Sequence, residues 1–139
     1  MLIAEHTMIS SAPPANIWKL WADVASWNEW DQDIEYARLE GEFQAGAKGV
    51  LKPRSGPRVA FTIAELAQGV SFTSISSLPL TRLRFAHHLL PMPGGGCKVT
   101  HRIEMSGMLA FLFGRLLGPG MKSSLPQAMD RLNQSAQAL

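Results

Sequence analysis

The stretch "RFAHHLLPMPGGGCKVTHRIEM", Arg84 to Met105, constrains the fold of this chain more than any other. Leu83, Phe85, His87 and Leu89 fall on one side of a period-two alternation, and Arg82, Arg84, Ala86 and His88 fall on the other. Beyond the break, Cys97, Val99, His101, Ile103 and Met105 share a side opposite Lys98, Thr100, Arg102, Glu104 and Ser106. Alternation over this length specifies strands with one wet and one covered face, because successive side chains point to opposite sides of a sheet. The intervening "PMPGGG" is turn material: glycine supplies positive φ, and proline cannot donate to a central ladder. The stretch therefore reads as a β-hairpin with His87 and His101 both on its covered side. A turn centred on Gly94 sets His87 opposite His101, with Cβ atoms roughly 5 Å apart. A turn centred on Gly95 sets His87 opposite Ile103 and His101 opposite Leu89. Either register places two imidazoles in one largely apolar enclosure.

The rest of the chain supplies what covers that face. Residues 2–10 read as a first strand. "SSAPPANIWKLWADV" opens a helix, with Ser before it, Pro in its first turn, and Ile17, Leu20, Trp21 and Val24 at three-to-four spacing. "ASWNEWDQD" reads as a short second helix leading into a loop. From Ile34 to Ser106 the breaks near "EFQAG", "RSGP", "AQG", "SLPL" and "PMPGGG" mark about six strands at roughly 8–12-residue spacing, an antiparallel rhythm. Val59, Phe61 and Ile63 alternate with Ala60, Thr62 and Ala64 and are expected to face inward. In "VSFTSISSL", Phe72 and Ile75 fall on opposite faces, so one is exposed, packed at an edge or displaced by a bulge.

At the C-terminus, Leu109, Leu112, Leu116, Met121, Leu125, Met129, Leu132 and Ala136 recur at helical spacing. Gly118, Pro119 and Gly120 are expected to break or kink this helix, and Pro126 to bend it or open a new first turn. Met108 to Leu117 is apolar nearly all round, which suits a buried helix end or a lid opening near Gly118–Gly120. The assembly implied is α+β: a curved antiparallel sheet of six or seven strands around a long C-terminal helix, with two short helices after the first strand.

Composition limits the alternatives. A chain of 139 residues, 46% hydrophobic and 17% charged, suits one domain, residues 1–139, with a single core. The lone Cys97 excludes an internal disulfide and fits a reducing compartment. "MLIAEHTMIS" lacks a secretory pattern, and "MLAFLFGRLLG" is too short to span a bilayer. A soluble, cytoplasmic protein without an integral membrane segment is the expectation. The net charge of +2 is split, −6 over residues 1–42 and +8 over residues 43–139. Arg82, Arg84, Lys98 and Arg102 share the wet face of the hairpin, as a solvated sheet face or a basic patch. No nucleic-acid-binding module accompanies them, so no nucleic acid is expected as partner.

The order strand, two short helices, six strands, long helix resembles the START/Bet v 1-like (SRPBCC) superfamily, and most closely its polyketide cyclase/dehydrase-like branch. The residues that carry the resemblance are "SAPPANIWKLWADVASWNEWD", with Trp27 and Trp30 as W-x-x-W, and "RFAHHLLPMPGGGCKVTHRIEMSG" as the last hairpin. It covers nearly the whole chain. It implies a helix-grip fold, with strands curled around the C-terminal helix and an apolar cavity between them. Such cavities hold lipids, sterols, polyketides, quinones or similar molecules, and in the cyclase/dehydratase members polar groups inside position or protonate the substrate.

Candidate site residues follow from both readings. Neutral imidazole carries one donor and one acceptor, so His87 and His101 are candidates for anchoring a ligand or for acid–base catalysis, against the alternative of satisfied core histidines. Trp27 and Trp30 offer flat apolar walls with an N–H each. Val59, Phe61, Ile63 and Phe85 supply apolar contact, joined by Val99, Ile103 and Met105 from the last strand. Leu112 and Leu116 complete the set from the C-terminal helix. Cys97 and His101 are roughly 13 Å apart along one strand, too far for one ion, and no metal site is expected. His6 and His88 read as surface or strand-edge residues. No phosphate loop, nucleophile elbow, Ser-His-Asp set or dinucleotide fingerprint occurs, so no cofactor is expected. The leading expectation is binding of a small hydrophobic molecule. The alternatives are a polyketide cyclase/dehydratase using the two histidines, and an interaction module of the co-chaperone or toxin type that the resembling fold also includes.

Overall fold

In a computed structural model describing residues 1–139, the hairpin forms as β6 (Thr81–Pro91) and β7 (Cys97–Ser106). Its register is the one centred on Gly94: His87 pairs with His101, Phe85 with Ile103 and Leu89 with Val99. Gly94 and Gly95 both take positive φ, which is why the turn is written in glycine. The other strands are β1 (Leu2–Ser10), β2 (Ile34–Leu39), β3 (Lys48–Pro53), β4 (Val59–Ala67) and β5 (Ser71–Leu78). All seven form one antiparallel sheet in the order β1-β7-β6-β5-β4-β3-β2. Its concave face curls around a long C-terminal helix, the helix-grip architecture.

Two short helices follow β1, namely α1 (Pro14–Ala22) and α2 (Trp27–Trp30), joined by a 3-10 turn at Val24–Ser26. Pro14 occupies the first turn of α1, where its missing N–H costs nothing, and Ile17, Trp18 and Trp21 are buried. Leu20, expected in that stripe, is only half-buried, and Trp18 takes its place. The Trp27 indole N–H donates to the Trp21 carbonyl at 2.9 Å and ties α2 to α1. The core is an aromatic cluster between sheet and helices, in which Trp21 lies 5.4 Å and Phe43 5.0 Å from Phe72.

In β5 it is Phe72 that points inward. Ile75 sits half-buried on the outer face, between Thr62 and Arg84 on the neighbouring strands, and the irregularity lies in β4, between Ile63 and Glu65. On the outer face of the hairpin two of the three arginines are ion-paired. Arg84 meets Glu65 at 3.3 Å, and Arg102 meets Glu5 at 2.9 Å and Glu104 at 3.0 Å. Arg82 and Lys98 on the same face are exposed, so that face is solvated and in part ion-paired.

The C-terminal helix departs from expectation in two ways. It runs unbroken as α3 (Ala110–Gln137), with Pro119 and Pro126 both inside it. The expected break at Gly118–Gly120 is absent because packing against the sheet holds the helix, and Pro119 lies on its exposed side. The first half is also not a buried helix end. Ala110, Gly114 and Gly118, spaced by four, form the face that approaches the sheet, and an added Cβ at Gly114 or Gly118 would stand 3.3 Å or 3.6 Å from the Ile3 side chain. With small residues inward, the large ones, Leu112 and Leu116 among them, are turned to solvent. Only in the second half do large residues, Leu125, Met129 and Leu132, enter the core.

Candidate functional site

A cavity of about 220 Å³ lies between the concave face of the sheet, α2 and the middle of α3. Every wall has a local reason. The short helix α2 presents Trp27 and Trp30 on its inner side, and the chain leaving it brings Asp31, Asp33 and Ile34 to the rim. β4 contributes Val59 and Phe61 by alternation, and β6 contributes Leu83, Phe85 and His87. Phe61 has room because its cross-strand partner is Gly49, where a Cβ would meet the Phe61 ring at 2.6 Å. β5 turns Ser74, Ser76 and Leu78 inward, while α3 closes the space with Met121, Ser124, Leu125 and Ala128.

The two histidines are not equivalent. His87 stands on the cavity wall, stacked between Phe72 at 3.9 Å and Phe85 at 4.5 Å with both rings within 7° of parallel. Its Nδ1–H donates to the Phe72 carbonyl at 3.3 Å, which leaves Nε2 as an acceptor. Burial, and then the neighbouring His101, hold its pKa well below the ordinary value. His101 lies outside the cavity lining, 4.6 Å from His87 edge to face and fully enclosed with Trp21 and Trp30 beside it. Neither of its ring nitrogens has a partner, and burial pushes its pKa down to about 3, with His6 across the β1–β7 ladder acting in the same direction. The indole N–H groups of Trp21 and Trp30 are likewise buried without partners.

Asp31 is the carboxyl on the wall whose pKa is raised towards neutral pH. Burial raises its carboxyl pKa to about 6, against the opposing effect of the Asp33 backbone N–H donated to its Oδ1 at 3.0 Å.

Of the residues singled out from sequence, the structure brings Trp27, Trp30, Val59, Phe61, Phe85, His87 and Ile103 to the cavity. Ile63, Val99, His101 and Met105 are buried on the same face of the sheet but packed away from the cavity. Leu112 and Leu116 lie in the exposed first half of α3 and take no part in it. Sequence reasoning missed the polar wall: Asp31, Asp33, Ser74, Ser76 and Ser124. For the two serines of β5 a signal existed, since they alternate with Phe72 and so share its face. For Asp31 none did, because it follows a helix of four residues. His6 is half-buried on β1 and His88 is exposed, and no group of three His, Cys, Asp or Glu side chains is placed to hold a metal ion.

The fold recurs among solved structures. TTHA0849 from Thermus thermophilus matches with a TM-score of 0.75 at 14% identity, over 97% of both chains. The di-domain ARO/CYC StfQ from the steffimycin biosynthetic pathway matches with a TM-score of 0.78 at 10% identity, over 96% of this chain and 50% of that one. Truncated norcoclaurine synthase from Thalictrum flavum matches with a TM-score of 0.69 at 12% identity, over 94% of this chain and 89% of that one. No curated protein sequence matches. At these identities the structures speak for the fold alone. The family model described as polyketide cyclase / dehydrase and lipid transport matches residues 1–137, nearly the whole chain. The chain thus belongs to the polyketide cyclase / dehydrase and lipid transport family.

Proposed function

We propose that this protein binds a small, mostly apolar molecule in the cavity between sheet and α3, with His87 as its polar anchor. The observation that carries the reading is the wall itself: aromatic and aliphatic side chains surround one imidazole whose second nitrogen has no protein partner. Apolar enclosures with few convergent polar groups are how proteins hold and orient greasy guests. Nε2 of His87, as an acceptor, selects a guest carrying a hydroxyl or N–H, and the inward serines of β5 accept or donate as needed. The volume lies below the roughly 300–1,000 Å³ of sites for drug-sized ligands, which favours a compact guest or one that leaves part of itself at the rim. The family description, which joins cyclases, dehydrases and lipid transport, agrees with this class of guest.

A naphthol titration followed by quenching of Trp27 and Trp30 fluorescence tests the reading. Ser76→Phe, which plugs the cavity, and His87→Leu, which removes the anchor, serve as controls. Saturable quenching that both substitutions weaken at least tenfold is the expected result. Quenching that survives Ser76→Phe, or its absence in the unmodified chain, would overturn it.

A second reading, catalysis of a cyclisation or dehydration, draws its support from Asp31 rather than from the histidines. General acids and bases work best with a pKa near the working pH. Asp31 meets that condition on the cavity wall, whereas both imidazoles are held neutral and His101 is sealed away. Turnover of a polyketide-like substrate that persists in Asp31→Asn would refute this role.

A further inference from the structure

Five of the thirteen exposed large hydrophobic side chains fall within ten residues at the start of α3, so the apolar surface is concentrated there rather than scattered. Met108 is 84% exposed, and Phe111 and Leu116 are each 67% exposed. Leu80, 64% exposed at the β5–β6 turn, joins them, because its carbonyl accepts the Leu109 N–H at 3.3 Å. The cause is the inward set of Ala110, Gly114 and Gly118, which commits the large residues to the outer arc.

The charges on that arc are of one sign. At about 100° per residue, Arg115 and Lys122 project between Phe111 and Leu112, within the apolar arc rather than opposite it. The Arg115 guanidinium lies 5.2 Å from the Phe111 ring centroid. Between Glu104 and Asp130 the chain carries no carboxylate at all. A second copy docking symmetrically on this face would set these cations against each other with nothing to neutralise them, so self-association does not suit it. A surface that is apolar below and anionic above does. Leucine and phenylalanine enter the acyl boundary while arginine and lysine reach the phosphates at its edge. No helix is long and apolar enough to cross a membrane, so α3 would lie on the bilayer and not through it.

We infer that the outer arc of the first half of α3, with Leu80, is a docking face for an anionic phospholipid bilayer. The face and the cavity share two elements, since Leu78 and Met121 line the cavity and Leu80 and Leu117 follow or precede them on the β5–β6 turn and α3. Docking itself does not depend on any guest, and its test needs none.

The test is co-sedimentation of the purified chain with vesicles of phosphatidylcholine alone, or of equal parts phosphatidylcholine and phosphatidylglycerol. Binding to the mixed vesicles only, weakened by salt, is expected. Arg115→Gln/Lys122→Gln is expected to lower the partition coefficient about fivefold per cation, roughly twenty- to thirtyfold together. Phe111→Ser/Leu116→Ser is expected to lower it at least tenfold, and these positions are exposed, so unchanged circular dichroism confirms that the fold is kept. Failure of the unmodified chain to sediment with anionic vesicles would overturn the inference. So would unchanged binding by the Phe111→Ser/Leu116→Ser variant. A dimer in analytical ultracentrifugation that this variant dissociates would also overturn it and assign the face to a second copy.

Discussion

Replacing His101 with leucine should make the protein more stable, and by an amount that grows as the pH falls. Two effects combine. At pH 7 the imidazole is neutral and enclosed, with neither nitrogen hydrogen-bonded, and a buried polar group left unpaired costs roughly 1–3 kcal/mol. Leucine removes that cost while keeping most of the packing against Trp21 and Trp30, so His101→Leu should equal or exceed the parent at neutral pH by about 1 kcal/mol.

The second effect is linkage. In the unfolded chain this histidine titrates near its ordinary value of about 6.5, whereas in the folded chain burial lowers it to about 3. Between those values the unfolded state binds the extra proton. Folding stability therefore falls as the pH drops through 6.5 and levels off below about 3. At pH 5 the unfolded state has gained about 1.5 pH units of protonation free energy, on the order of 2 kcal/mol. His87 acts in the same direction. Asp31 acts in the opposite one: its folded pKa is raised to about 6, so it stabilises the fold below its unfolded value near 3.8 and loses that contribution as the pH rises through 6. Asp31 is untouched by the substitution and cancels in the difference. His87 keeps the burial that is the larger cause of its shift and loses only the lowering by His101, which adds to the advantage of the variant at low pH. The advantage of His101→Leu should thus widen from about 1 kcal/mol at pH 7 to about 3 kcal/mol at pH 5. Urea unfolding at both pH values, followed by tryptophan fluorescence, measures it, provided that the slope against denaturant is the same for both chains. An advantage that stays constant between pH 7 and pH 5 would refute the claim that His101 is buried in its neutral form.

Three further outcomes follow from named contacts. Gly49→Ala should cost about 1–3 kcal/mol and shrink the cavity, because the new methyl would meet the Arg38 carbonyl and drive the Phe61 ring inward; chemical denaturation and loss of naphthol binding report the two effects. Gly120→Ala should stabilise by about 0.5–1 kcal/mol, since nothing lies within 4 Å of the added Cβ and the helix gains a better former, read as a raised Tm. Ligand affinity should show an inflection near pH 6 that Asp31→Asn abolishes, and an inflection surviving the substitution would assign it to another group.

Much of the fold was legible because period and punctuation are local. The alternation on either side of "PMPGGG" specified β6 and β7, and Gly94 and Gly95 then set the register through their positive φ. What was not local was misread. Gly118, Pro119, Gly120 and Pro126 all argue against a helix by propensity, yet α3 is continuous, because contacts with β1 hold a segment whose own preference is weak. Helical spacing placed Leu112 and Leu116 with Leu125 and Leu132 on one stripe. It could not show that Ala110, Gly114 and Gly118 form a competing stripe, and that close approach to a sheet favours the smaller one.

The two histidines show the same limit at the site. Alternation puts His87 and His101 on the same face of adjacent strands and makes them equal. They differ only in what lies above each of them, and that is decided by elements distant in sequence. Trp21 lies over both rings, 5.5 Å from His87 and 5.7 Å from His101, but Trp30 closes over His101; beside His87, on the β5 side, the inward residues shrink from Phe72 to Ser74 and Ser76, which opens a space. One imidazole becomes a wall of the cavity and the other part of its support. A sheet's covered face can be read from a period of two, but its depth depends on the sizes of the residues facing it. The serines of β5 were therefore as informative about the site as the histidines that drew attention to it.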